Sequence, residues 1–362
     1  MKFVRQEKIT YAILAADALA LAAFFVARGS RAAMNFFTES ITNPLRRAVG
    51  TVCDLVPFSV AEVLYVAAGI ALLLFLWRGV VAIRRAEQKG AVLASRLVRL
   101  AAALLTLYTA FTLLWGANYY ADGFREKSGL AAPGVAPEEL VYLTLYFASG
   151  VNDAADDISR HADGTADFDL DAILAYAPRS YEVLYEEFPF LRQADAPPKP
   201  MVFSRIMSAL GFTGFYFPFT GESNVNVDFP AATLPATVVH ELAHRRGIAS
   251  EQECNFLSVL ASIRAEDASY RYAGWLSGFI YLGNALYSIS PELYNEIYRL
   301  LDEAVQADLR ASREYWAQFE SPVEEVATKM YDGMLKGYGE PLGVQSYGAC
   351  VDLLAAYFRG KI

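Results

Sequence analysis

Only three histidines occur in the 362 residues of this chain, and two of them, His240 and His244, stand four apart with Glu241 between them. On a helix, residues four apart share a face, so both imidazoles can hold one ion while Glu241 projects close beside it. This is the HExxH arrangement that binds zinc. The neighbouring Thr237, Val238, Val239, Leu242 and Ala243 are uncharged, as suits a helix buried around its metal face. Arg245 and Arg246 depart from that pattern, so burial is expected to end with them.

A structural zinc usually takes four protein ligands, a catalytic zinc three and a water. The third ligand is expected just past the motif. Gly247 ends the helix one turn after His244, and Ser250 opens the next as an N-cap, with Glu253 at the reciprocal capping-box position. Glu251 and Glu253 compete for the metal, and on a regular helix they point about 200° apart, so only one faces it. Glu251 is preferred because Asn255 lies one turn on, where its amide could orient the ligand, and Glu253 then caps. The reverse assignment makes Glu253 the ligand.

Zinc so held would lower the pKa of its water toward about 7 and polarise a scissile carbonyl. Glu241 would take the proton and pass it to the leaving amine, and a further donor would stabilise the oxyanion. Tyr347, opening a late helix after a glycine-rich loop, is the candidate donor, although most of the 22 tyrosines need only pack. The expected activity is zinc-dependent hydrolysis of a peptide or protein. Two alternatives stand beside it. One is a membrane receptor or scaffold with a structural zinc, which would need Cys254 turned inward as fourth ligand. The other is a cell-wall amide hydrolase with the same chemistry in a different cleft.

The elements that must position this motif divide by solvent. Hydrophobic residues make up 55% of the chain and mean hydropathy is positive, yet 20% is charged. Residues 1–120 hold 13 Lys and Arg against 6 Asp and Glu, whereas the remainder holds 18 against 34. The stretches 9–27, 60–81 and 100–117 are each apolar over about the 20 residues that a bilayer-crossing helix needs. A cleaved signal peptide is the rival for the first stretch, but its apolar run is long for one. Asp17 within it is costly in lipid and calls for a partner across the bundle, or for a weak, tilted helix. Nine basic residues in the N-terminus and the second loop, against four in the first loop, put the N-terminus inside. The acidic part after residue 120 is then extracytoplasmic, and its charge argues against a nucleic-acid partner.

Within that part, helices are expected over 137–160, from 168, through Tyr181 and Leu184, and over 250–264, 274–287, 292–319, 323–336 and 347–359. Met201 to Phe203, Gly214 to Phe217 and Ser223 to Asp228 read as strands of a small sheet. The last is expected as an edge strand beside the cleft, open to a substrate peptide, with Glu222, Asn224 and Asn226 lining it or simply facing outward. Asp163, Asp167, Asp169 and Asp171 lack EF-hand spacing and read as a solvated loop, with His161 exposed beside it. Cys254 and Cys350 could pair in an oxidising exterior, but so sparse a set is more often packing.

WGANYY at 115–120, GFYFPFTGESNVN at 214–226, HELAHRRGIASEQECNF at 240–256, YRYAGW at 270–275 and GVQSYGACVDLL at 343–354 carry a resemblance over most of residues 115–355. They resemble the bacterial three-span membrane family catalogued as domain of unknown function 3810, whose outer part is zincin-like. The resemblance implies metal ligands at His240, His244 and a glutamate of SEQECN. Glu251-x-x-x-Asn255 also resembles the ExxxD segment of gluzincin peptidases, with Asn where Asp is usual. The expected fold is therefore mainly α: a three-helix transmembrane region over 1–120, then an α+β zincin-like domain over 121–362 with a small sheet and the HExxH helix.

Overall fold

A computed structural model of the chain describes residues 2–338 and 347–362. In chain order, α1 (Lys2–Ala27) is followed by the short α2 (Arg31–Phe37) and α3 (Asn43–Cys53), then by α4 (Val60–Arg85) and α5 (Lys89–Leu114). α1, α4 and α5 are each long and apolar enough to cross a membrane. The third was expected over 100–117 but begins at Lys89, because Arg96 and Arg99 interrupt hydropathy without interrupting helix propensity. It ends at Leu114, where Trp115 leaves helical geometry with φ −122°. Only residues 86–88 separate α4 from α5, so the basic residues counted for that loop sit on the helix ends. Asp17 is buried and accepts a 2.7 Å hydrogen bond from the Thr106 hydroxyl, a partner across the α1–α5 contact.

The segment between α1 and α4 does not stay with those helices; it packs onto the rest of the chain. Asp54 pairs with Arg245, the Lys199 ammonium donates to the Val56 carbonyl, and the Ser59 hydroxyl donates to Asn224 at 2.6 Å. The Glu222 carboxylate accepts from the backbone N–H groups of Val60 and Ala61, both at 3.1 Å. Those are orphan donors at the start of α4, where the helix dipole also favours a negative charge. Glu62 does the same for Val202 and Phe203, at 3.1 and 2.8 Å. The segment between α1 and α4 and the part after α5 thus share one end of the apolar helices.

Beyond α5 come α6 (Phe124–Ser128), α7 (Pro137–Ala155), α8 (Leu170–Tyr176), β1 (Lys199–Pro200), α9 (Ser204–Ala209), β2 (Gly214–Phe217) and β3 (Glu222–Val225). Then follow α10 (Leu234–Arg245), α11 (Glu251–Ile263), α12 (Ala268–Ile289), α13 (Pro291–Tyr298), α14 (Glu303–Ala317), α15 (Pro322–Gly337) and α16 (Tyr347–Phe358). The core forms where α7, α10, α11, α12 and α16 meet, around Phe147, Leu242, Phe256, Tyr270 and Tyr272. Expected boundaries shift in places. The helix foreseen over 292–319 breaks at residues 299–302 into α13 and α14, and the one through Tyr181 and Leu184 is a pair of 3₁₀ turns.

The sheet corrects the sequence expectation more seriously. Its order is β1-β3-β2, with β1 parallel and β2 antiparallel to β3. β3 is therefore the central strand, and β1 and β2 are the edges. Glu222 and Asn224 in β3, and Asn226 just after it, line no cleft: all three are fully buried. Glu222 caps α4, Asn224 accepts from Ser59, and Asn226 donates to Ser208 at 2.8 Å and to the Phe212 carbonyl at 3.0 Å. Period-two polarity suggested a solvated face, but each polar group instead fixes a neighbouring element.

Candidate metal centre

Pro235 in the first turn opens α10, a position where a missing N–H costs nothing. Its C-terminus closes in a Schellman turn: the Gly247 N–H donates to the His244 carbonyl at 2.9 Å and the Ile248 N–H to the Ala243 carbonyl at 3.4 Å. Gly247 has φ +88°, where glycine is favoured. The turn swings the Ile248 carbonyl back to 2.9 Å from His244 Nδ1. A carbonyl only accepts, so Nδ1 carries the hydrogen and Nε2 is left to face the cleft.

The chain then reverses into α11, which brings Glu251 to the two histidines. His240 Nε2 and His244 Nε2 are 3.2 Å apart, and the Glu251 carboxylate lies 3.1 Å from the first and 3.5 Å from the second. Around a tetrahedral ion with bonds of about 2.0–2.1 Å, ligand atoms stand about 3.3 Å apart. The His–His distance and the two distances to the carboxylate, one to each of its oxygens, lie near that spacing, so two imidazoles and a carboxylate fit a zinc ion. In the metal-free protein a proton serves instead. Burial opposes charge on His244, but Cys254 and Glu251 beside it more than offset this and hold its pKa well above 6.5. Glu251 is likewise buried, yet His244 and His240 hold its carboxyl well below the usual range.

Glu253 faces away. Its carboxylate accepts from the N–H groups of Phe124 and Arg125, at 2.7 and 3.0 Å, and so caps α6 rather than its own helix. Ser250 occupies the N-cap position without a side-chain bond, so the expected capping box does not form. Asn255 is one turn from Glu251, but its carbonyl oxygen accepts from the Tyr281 hydroxyl at 3.1 Å. The group that does reach Glu251 is the Tyr331 hydroxyl, donated from α15. Burial and the Glu251 charge push its pKa well above 10, keeping it a donor.

Glu241 is 3% exposed, and its Oε2 has no hydrogen-bond partner among the described residues. Burial pushes its pKa up, the two histidines pull it down, Glu251 raises it, and it settles at about 7. An orphaned buried carboxylate oxygen beside three converging metal-type donors is itself an observation that fits a cation site. Gly214 makes room for it: a Cβ there would lie 2.5 Å from Glu241 Oε1.

Cys254 forms a second cluster with the histidines, donor atoms within 4.8 Å, but it approaches His244 from the Nδ1 side, at 3.3 Å. That nitrogen is already given to Ile248, and burial pushes the thiol up to about 12, away from the thiolate a metal needs. Cys350 is a separate buried thiol, and both cysteines are free. His161 lies apart in an exposed turn. The Tyr347 side chain lies outside the described residues.

Burial does not end at the two arginines after His244. Arg245 and Arg246 are each 8% exposed. Arg245 pairs with Asp54; Arg246 pairs with Asp195, donates to the Leu191 and Leu242 carbonyls at 2.9 Å, and lies 3.6 Å over the Tyr181 ring. Charge was mistaken for exposure because the partners are distant in sequence. Tyr331, Gly214 and Trp115, whose ring meets His244 edge-on at 5.6 Å, were also missed as parts of the site. Only the motif stretches containing Trp115 and Gly214 gave any signal.

The centre opens into a cleft of about 1760 Å³, walled by β2 on one side and reaching α4 and α5 on the other. No curated protein and no solved structure matches this chain. A family model matches residues 37–355, and the chain belongs to the family it describes, "Protein of unknown function (DUF3810)".

Proposed function

We propose that the protein is a membrane-anchored zinc peptidase with a zincin-like outer domain. The observation that carries this is the meeting of His240, His244 and Glu251 at 3.1–3.5 Å beside the unpartnered Glu241 oxygen. His240, His244 and Glu251 would hold the ion. Bound there, zinc would supply Lewis acidity toward a scissile carbonyl and an attacking water.

Glu241 Oε2 would take the proton from that water and deliver it to the leaving nitrogen, the unpartnered oxygen leaving it available for that transfer. Tyr331 holds Glu251, and the Ile248 carbonyl holds His244, so two of the three donor groups are fixed before any ligand arrives. β2, an edge strand of the sheet, borders the cleft and offers main-chain groups to an extended peptide. The basic bias of the N-terminus and of the α4–α5 connection supports an extracytoplasmic side for the domain.

A structural zinc in a receptor or scaffold is favoured only by the nearness of Cys254 to His244. A cell-wall amide hydrolase would share the same residues. Zinc content of the purified full chain, measured beside hydrolysis of a mixed peptide library by wild type and Glu241→Gln, separates them. About one zinc per chain in both proteins with cleavage by wild type alone is the expected result. Zinc in both with no cleavage of the library peptides, either free or joined to an apolar membrane anchor, would refute the peptidase, and no zinc in either would refute every zinc-based proposal.

A further inference from the structure

The cleft does not stop at the outer domain. Its wall continues along α4 through Leu64, Tyr65 and Ala68 and, from Trp115 just past the end of α5, along that helix from Phe111 back to Leu104. At 1.5 Å per residue, Leu104 to Phe111 covers about 10 Å of helix, roughly a third of a hydrocarbon core about 30 Å thick. Tyr65, Leu104 and Leu107 are 54–58% exposed, so this part of the wall opens outward along the apolar helices. Outside them the rim stays apolar. Val323, Val326 and Met330 form an exposed stripe on α15 at helical spacing, and Met330 itself lines the cleft. The ionisable residues of the cleft gather at the metal end, apart from Glu62, which is engaged as a cap.

We propose that the substrate is a polypeptide whose scissile segment adjoins an apolar stretch embedded in the bilayer, and that it reaches the centre sideways, along α4 and α5. This rests on the peptidase assignment and on α4 and α5 lying in lipid. An apolar wall in lipid exerts little pull, since acyl chains are as apolar as leucine. It selects by exclusion, because a polar segment would carry unsatisfied groups into the hydrocarbon. Confinement to the bilayer raises the local concentration of an anchored chain without any new contact. The edge strand decides between a peptide and a lipid. Among the described residues β2 pairs only with β3, so its outer edge, which borders the same cleft, can pair with a main chain, whereas an acyl chain has nothing to pair with it.

Disulfide trapping in lipid nanodiscs tests this without requiring hydrolysis. The full chain carries Cys53→Ser and Glu241→Gln, with Leu107→Cys in the cleft wall or Val66→Cys, an exposed α4 position outside it. Three thiol probes are offered: a mixed-sequence peptide joined to a Leu/Ala segment of about 20 residues, the same peptide without that segment, and a fatty-acid amide. The anchored peptide should be trapped roughly tenfold faster at 107 than at 66, and faster than the soluble peptide, given its higher effective concentration. Leu104→Cys, one turn away on the same wall, repeats the measurement should the 107 variant misfold. Equal trapping at both faces, equal trapping of the soluble peptide, or preferred trapping of the amide would each overturn the proposal. Since the readout is a cross-link, absence of peptidase activity would leave it interpretable.

Discussion

At the scale of single residues, the centre depends on groups that hold other groups. Tyr331 donates to Glu251 from a helix 80 residues away. Tyr331→Phe should leave the fold intact and weaken zinc binding about 10- to 100-fold, the usual cost of losing a group that orients a metal ligand; chelator competition measures it. Gly214→Ala addresses the proton carrier instead. A Cβ 2.5 Å from Glu241 Oε1 must displace that carboxylate, so turnover should fall about a hundredfold while zinc content stays near wild type. The metal-free pair also sets a pH dependence. His244 is held well above 6.5 and is protonated at neutral pH, whereas a ligand imidazole must be neutral. Zinc uptake should therefore release a proton, and affinity should rise about tenfold per pH unit from pH 6.5 until the raised pKa is passed. Calorimetry in buffers of different ionisation enthalpy reads this directly, and uptake without proton release would contradict it. His240, Glu241 and His244 were legible because their spacing alone carries chemistry. The choice of Glu251 over Glu253 was argued from Asn255, whose side-chain oxygen instead accepts from Tyr281; what separates them is α6, whose first N–H groups take Glu253. Tyr331 was not legible at all, since nothing local distinguishes it from other tyrosines.

At the scale of elements, local signals located the helix ends better than their neighbours. Gly247 ends α10 where its φ requires, and Pro322 opens α15. Sheet order was not legible, because it depends on which strands Glu222 and Asn224 can satisfy across the fold, and those partners lie at residues 59–61. The end of α10 shows the same dependence. Arg246 and Asp195 form an ion pair with side chains 3% and 0% exposed. Arg246→Ala would strand a buried carboxylate and should cost about 3–5 kcal/mol, whereas Arg246→Met with Asp195→Leu should recover most of the loss. Urea denaturation of the detergent-solubilised chain compares the two. If the single variant were as stable as the double, the pair would not be what secures this helix end.

At the scale of the molecule, hydropathy and the charge split revealed three apolar helices and an acidic remainder, because both are sums over many residues. They could not reveal that residues 31–59 serve the acidic part, since that segment has neither the hydropathy of a span nor any motif. Its contacts are not peripheral. Asp54 answers Arg245 one residue from His244 and Ser59 answers the fully buried Asn224, while Val60 and Ala61, directly after the segment, answer the fully buried Glu222. A fragment of residues 121–362 would lose all of these together with Trp115, whose ring contacts His244. Each stranded buried charge costs about 3–5 kcal/mol and each unmet neutral group about 1–3, against a typical total stability of about 5–15 kcal/mol. Such a fragment should therefore fail to fold and to retain zinc. A chain in which residues 28–64 are joined by a flexible linker directly to 111–362, omitting most of α4 and α5, should recover both, because Glu62 and Trp115 both border the same cleft. Zinc stoichiometry and circular dichroism of the two proteins decide the matter. A folded, zinc-loaded 121–362 fragment would show that the inter-helix segment only rests on the domain, and recovery in the joined chain alone would show that it completes the domain.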